Sequence, residues 1–209
     1  MNKNVEELTI RYPALAGLSG AIEKAIAAVY GAQKKGGKIL LAGCGGSAAD
    51  CDHIAGELLK EFKLKRRRDP AFDARFLKLF PNDGGLLNKL ARGVRAVSLT
   101  WGDGLNAALV NDVGAEVLFA QKVYALAQSG DVLLAISTSG NSATLLAAAK
   151  TAKAVGCTVV ALTGRTGGQL KEYADILLNV AEDETYKVQE LHLPVYHCLC
   201  AAVEELLFS

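Results

Sequence analysis

Two turns and one helix face hold the residues whose types and spacing could do chemistry. His53 and Glu57 are four residues apart, so on a helix they share one face, and an imidazole beside a carboxylate is a pair that can move protons. Just before them lies the turn Gly43-Cys44-Gly45-Gly46-Ser47. Its glycines let the backbone turn with positive φ and approach a ligand, while the unpaired N–H groups of the following helix suit an anion. A second turn reads Ser137-Thr138-Ser139-Gly140-Asn141-Ser142. Four hydroxyls and a glycine there can donate to all three oxygens of a phosphate with no lysine or metal. One hydroxyl would suffice for a helix cap, so four favour the phosphate. The turn lacks the GxxxxGK[ST] pattern of a nucleotide-binding P-loop.

Both turns need a strand before them and a helix after them, and the chain supplies that rhythm. Apolar runs at Ile39 to Ala42, Ala96 to Leu99, Val132 to Ile136, Thr158 to Leu162 and Ile176 to Val180 read as buried strands. Helical patterns fill the intervals: one beginning near Ala48, then Leu105 to Val113, Val117 to Gln128, Thr144 to Val155 and the long segment Thr185 to Phe208. Asn4 to Tyr12 and Leu15 to Lys35 read as packing helices ahead of the first strand. The expected fold is α/β, three layers with a five-stranded, mainly parallel, flavodoxin-like sheet, and ligands on such sheets sit at the carboxyl ends of strands. The chain is expected to be one domain over 1–209, with a helical arm at 1–36 and an inserted excursion at 66–95. The excursion reads as surface elaboration or as a lid. Pro194 inside the last helix is expected to kink it.

Composition bounds the function. At 209 residues, 51% hydrophobic, 22% charged and a net charge of +1, the chain is a globular, neutral protein with no electrostatic footprint for nucleic acid. Lys65-Arg66-Arg67-Arg68 is the one basic run, read as a solvated helix end, with a sugar-phosphate clamp as the alternative. Five cysteines, odd in number and without CxxC spacing, read as reduced. The N-terminus lacks the pattern of a signal peptide and no apolar run stands out as a membrane span, so a cytoplasmic protein without membrane partners is expected.

The motifs together resemble the sugar isomerase (SIS) family, and within it the phosphoheptose isomerases. The matching stretches are AGCGGSAADCDHIAGEL at 42–58, Asn111-Asp112, GDVLLAISTSGNS at 130–142, ALTGRTGGQL at 161–170 and VQELHLPVYH at 188–197. The resemblance implies an aldose-ketose isomerase acting on a sugar phosphate such as sedoheptulose 7-phosphate. It places the substrate on Ser47, Asp112, Ser137, Thr138, Ser139, Ser142 and Gln189. Glu57 would be the catalytic base and His197 its partner acid, while His53, Glu57, Gln189 and His197 match the set that holds zinc in some members. The chemistry agrees: moving a proton between adjacent carbons through an enediol needs one carboxylate and one imidazole at the C1–C2 edge. Homotetramers with shared sites are also implied. Eight residues separate Gln189 from His197, a rotation of about 80° on a straight helix. The sequence departs from the family pattern at Glu61, where an arginine is common, at Tyr186, and in the length of the excursion, and all three bear on sugar recognition. The rival classes are a non-catalytic SIS protein that binds a protein partner and a sugar-phosphate sensor. Glu57 and His197 favour the enzyme over both.

Overall fold

A computed structural model describes residues 2–209. Five strands form one sheet: β1 (Ile39–Gly43), β2 (Ala96–Ser98), β3 (Val132–Ser137), β4 (Thr158–Thr163) and β5 (Ile176–Asn179). Their order is β2-β1-β3-β4-β5, and every neighbouring pair is parallel. β1 and β3 are buried along their whole length. Side chains alternate across the sheet, so Ile39, Leu41, Val132, Leu134 and Ile136 enter one core while Leu40, Ala42, Leu133 and Ala135 enter the other.

The first core is covered by α1 (Lys3–Arg11), α2 (Ser19–Lys34), α3 (Gly46–Leu59) and α9 (Thr185–Phe208), and the second by α7 (Leu118–Leu126) and α8 (Ala143–Val155). That is the expected three-layer arrangement. The expected helix at Leu15 to Lys35 divides, because Pro13–Leu18 forms a 3-10 segment before α2 begins. Helix α9 keeps Pro194 in its buried interior. By length and composition α9 could cross a membrane, but 61% of its apolar window is buried within the protein, so it reads as a core helix.

The excursion carries α4 (Pro70–Leu79) and α5 (Gly84–Leu87), and α6 (Asp103–Asp112) follows β2. Asp69 caps α4 by accepting from the Ala71 N–H, with Pro70 at the first turn, yet α4 has no buried residue. Leu87 and Val94 anchor the segment, and the Val94 N–H donates to the Leu58 carbonyl at 2.9 Å.

The sheet order decides where a ligand can sit. From β1 the chain goes to one side to form β2, then returns across β1 to form β3, which makes the β1/β3 boundary the topological switch point. Gly43 pairs with Ile136 at the carboxyl ends of these strands, so the glycine turn and the serine turn leave the sheet side by side.

Candidate active site

The serine turn and the start of α3 line a cavity of about 320 Å³, together with Gln189 and Thr185 from the first turns of α9. Gly45 at φ 59° leads into α3, and Gly46 lies so close to α9 that a side chain there would come within 2.6 Å of the Gln189 amide. Gly140 is similarly confined, since a Cβ would meet the Gly167 carbonyl at 2.1 Å and its φ is +67°. The turn's hydroxyls are held by local bonds: Ser137 Oγ accepts from the Gly140 N–H at 3.1 Å and Ser139 Oγ from the Asn141 N–H at 3.2 Å. Ser142 Oγ bonds Thr144 Oγ1 at 2.8 Å, and Cys44 Sγ lies 3.5 Å from the same threonine. Ser47 is buried in the first turn of α3. Ser137, Thr138, Ser139, Ser142 and Ser47 therefore surround one space, with the N-termini of α3 and α8 at its edge.

One to two turns further along α3, His53 Nε2 lies 3.4 Å from Glu57 Oε1 and 3.4 Å from His197 Nε2. Glu57 Oε2 receives Lys60 Nζ at 3.3 Å. His197 stands against Phe62, with ring centroids 5.8 Å apart. Burial and the neighbouring His53 hold its pKa below the usual histidine range, with Glu57 opposing, so its imidazole is neutral at neutral pH. Behind His53, Tyr196 is buried and its hydroxyl lies 3.1 Å from His53 Nδ1 while donating to Asp50 Oδ1 at 3.1 Å. Burial raises the Asp50 pKa, with Tyr196, His53 and His197 opposing.

The structure thus brings Glu57, His53 and His197 together at the α3–α9 contact, and it places Gln189 in the cradle; the three do not line the cradle, and His197 faces a second cavity with Arg11, Tyr12 and Phe62. Among the described residues Gln189 makes no hydrogen bond to His53, Glu57 or His197. Asp112 is exposed at the end of α6, bonded to Asn111, and does not line the cavity within this chain. Within the basic run Lys65 and Arg67 are exposed, as a solvated run would be, but Arg66 departs from the expectation. Arg66 is fully buried, its Nε donating to Glu204 Oε1 at 2.7 Å and its other nitrogens to the Leu58 and Glu57 carbonyls. It caps the carboxyl end of α3 and is neither a solvated helix end nor a phosphate clamp. Glu61 accepts from Lys65 and from the Arg66 N–H, so it shapes the same turn, and Tyr186 is exposed at the start of α9. Among the described residues, no group bonds either ring nitrogen of the buried His192. Burial lowers its pKa to about 4; the Thr163 backbone opposes this weakly and lies outside bonding geometry. Sequence reasoning missed Asp50, Tyr196 and Thr144. The AADCDH spacing puts Asp50 and His53 three residues apart on one helix face, a signal that could have pointed to the first of them.

Zinc can be tested on this donor set. A tetrahedral ion with Zn–N bonds of about 2.1 Å separates its donors by about 3.4 Å, which both adjacent pairs match. Among the described residues, however, no three His, Cys, Asp or Glu side chains converge on one point. The donors form a row with His53 in the middle, not a closed cage.

A parallel α/β sheet with a hydroxyl-lined cradle at its switch point and a carboxylate-imidazole row further along the two helices that line it defines a sugar-phosphate-binding protein of the sugar isomerase class. Residues 9–72 and 73–164 match the SIS domain family, in two segments that meet inside the excursion. The phosphoheptose isomerase of Burkholderia pseudomallei is 41% identical over 192 residues, covering 92% of this chain and 85% of that protein. A solved phosphoheptose isomerase from Neisseria gonorrhoeae superposes with a TM-score of 0.75 at 32% identity, covering 96% of this chain and 94% of that one. One from Francisella tularensis gives 0.78 at 29%, covering 97% and 94%. The chain belongs to the SIS domain family and, within it, to the phosphoheptose isomerases.

Proposed function

We propose that this protein interconverts sedoheptulose 7-phosphate and the corresponding heptose 7-phosphate through an enediol. The observation that carries this is the row Glu57–His53–His197, with 3.4 Å between neighbouring donors, on the same helices α3 and α9 whose first turns line the serine-turn cavity. The substrate phosphate rests on Ser137, Thr138, Ser139, Ser142 and Ser47, at the positive ends of α3 and α8. Asp112 contacts the sugar from a neighbouring subunit, since it lies outside the cradle of its own chain. Glu57 takes the proton from C1 of the open-chain ketose. His197 gives its N–H proton to the developing oxygen at C2 and takes up the hydroxyl proton from C1, and the carbon-bound proton returns from Glu57 to C2. A role limited to binding a protein partner or sensing a sugar phosphate would not need this acid-base row.

Zinc is the proposed occupant of this site: His53, Glu57 and His197, with Gln189 as a neutral fourth ligand, would hold it only once the open row closes around the ion. When bound it supplies a Lewis acid for the carbonyl and enediolate oxygens. The working unit is proposed to be a cytoplasmic homotetramer. The five cysteines are unpaired thiols, as a reducing compartment allows. The chain is taken as one SIS domain, with 1–36 as a helical arm and 66–95 as an insertion.

Glu57→Gln tests the chemistry because it keeps the shape and removes the base. Turnover of sedoheptulose 7-phosphate should fall about 100-fold to 10,000-fold while substrate affinity stays within several-fold. Turnover near that of the unmodified protein would reject Glu57 as the base.

A further inference from the structure

Among the described residues, the hydroxyl of Tyr196 is the hydrogen-bond partner of His53 Nδ1, and it has one proton to give. Its other neighbour is Asp50 Oδ1, at the same 3.1 Å. An ionised carboxylate can only accept, so the phenol proton points to Asp50 and the phenol oxygen is left with lone pairs toward His53. The contact to His53 is then a hydrogen bond only if Nδ1 carries the imidazole proton. The reverse arrangement would turn the phenol proton to His53 and leave two oxygens facing each other at 3.1 Å with no proton between them, a closer clash of acceptors than the 3.4 Å between a bare His53 Nε2 and Glu57 Oε1. Tyr196 is 1% exposed and its ring stands edge-on to that of His53, with centroids 5.6 Å apart, so the hydroxyl cannot swing to solvent instead.

We propose that Asp50 and Tyr196 are positioning residues that lock His53 as its Nδ1–H tautomer, presenting the Nε2 lone pair to the reacting face of the site. This rests on the isomerase reading for its purpose, but its geometry stands on the two hydrogen bonds alone. With Nδ1 protonated, His53 Nε2 is an acceptor, so in the metal-free site His197 Nε2, 3.4 Å away, is the donor of that pair and holds its N–H in the site. The same lone pair and the Glu57 carboxylate form two acceptors 3.4 Å apart. Facing acceptors suit a cation or a pair of vicinal sugar hydroxyls. A helix-borne histidine alone would rotate between tautomers. The relay from α9 back to Asp50 on α3 removes that freedom, as outer partners do for histidines that serve as ligands.

The chain has three histidines, so solid-state ¹⁵N NMR of histidine-labelled protein gives three imidazoles to assign, with His53 identified by its loss in His53→Gln. The expected spectrum of the unmodified protein shows His53 with a protonated Nδ1 and a bare Nε2. Tyr196→Phe keeps the buried ring and its packing, and should return a tautomer mixture at His53. Turnover should fall about 10-fold to 100-fold with KM for the sugar phosphate within several-fold. Asp50→Asn should shift the same imidazole, because an amide can donate to the phenol oxygen and turn its proton toward His53. A protonated Nε2 at His53 in the unmodified protein overturns the assignment, and an unchanged Nδ1–H tautomer in both variants overturns the relay. Both outcomes are read without substrate. A failure of the isomerase reading would show instead as an active Glu57→Gln enzyme, whatever the His53 spectrum.

Discussion

Glu204 on α9 and Glu57 on α3 are both carboxylates close to the α3–α9 contact, and their surroundings treat them in opposite ways. Glu204 is fully buried and its two oxygens receive the N–H groups of Phe62, Lys63 and Leu64 as well as Arg66 Nε, at 2.7 to 3.1 Å. Burial works against its charge, yet those N–H groups and Arg66 together hold its pKa below the usual glutamate value. Among the described residues Glu57 receives only Lys60 Nζ, at 3.3 Å, and faces His53 Nε2 at 3.4 Å. A carboxylate whose lone pairs are all taken is a structural staple, and one held at longer range keeps lone pairs for a proton in transit.

The hardest break falls on the satisfied end. Arg66→Met strands Glu204 without its guanidinium and uncaps α3, so unfolding by urea should show a loss of about 3 to 5 kcal/mol. A loss below about 1 kcal/mol would mean that the backbone donors alone satisfy Glu204, and the contrast with Glu57 would shrink accordingly.

His192 sharpens the same contrast from a third position, because it is buried with no hydrogen-bond partner among the described residues. Its folded pKa of about 4 lies below the ordinary value of 6.5. The unfolded chain therefore binds the proton first, and the stability present above pH 6.5 drains away as pH falls toward 4. With about 1.36 kcal/mol for each unit, the loss approaches about 3 kcal/mol over that window. His192→Leu should lack this acid-limb decline, and parallel pH–stability curves for the two proteins would sink the idea.

The smallest effect belongs to the cradle. Ser142→Ala removes one hydroxyl from the phosphate space and should weaken sugar-phosphate binding by about 1 to 2 kcal/mol in a calorimetric titration. Its melting temperature should barely move, since Ser142 is partly exposed and its bonded partners, Thr144 and Cys44, can turn to water. Unchanged affinity would remove the serine turn from the phosphate site.

Much of the architecture was legible from pattern. The five strands appear within one or two residues of their apolar runs, because burial on both faces leaves a continuous hydrophobic signature. The helix boundaries shifted more: α3 begins at Gly46, ahead of Ala48, since its first turn is made of the glycine turn itself. Arg66 misled because it stands among cationic residues that are solvated, as Lys65 and Arg67 are, and nothing nearby announces a carboxylate 138 residues away.

By itself, then, the sequence determined the alternation of strands and helices, the two ligand turns and the helical pairing of His53 with Glu57. These are short-range properties, set by side-chain periodicity and by where glycine and hydroxyl residues fall. Tertiary structure alone decided that Arg66 is buried, that Asp112 stands outside its own chain's cradle, and that the Tyr196 hydroxyl reaches between Asp50 and His53. Those outcomes depend on α9 returning across α3 and joining groups 143 and 146 residues apart. Hydrogen-bond direction across such a contact follows from which atoms the packed chain brings within 3.1 Å, and no local pattern in the sequence encodes that.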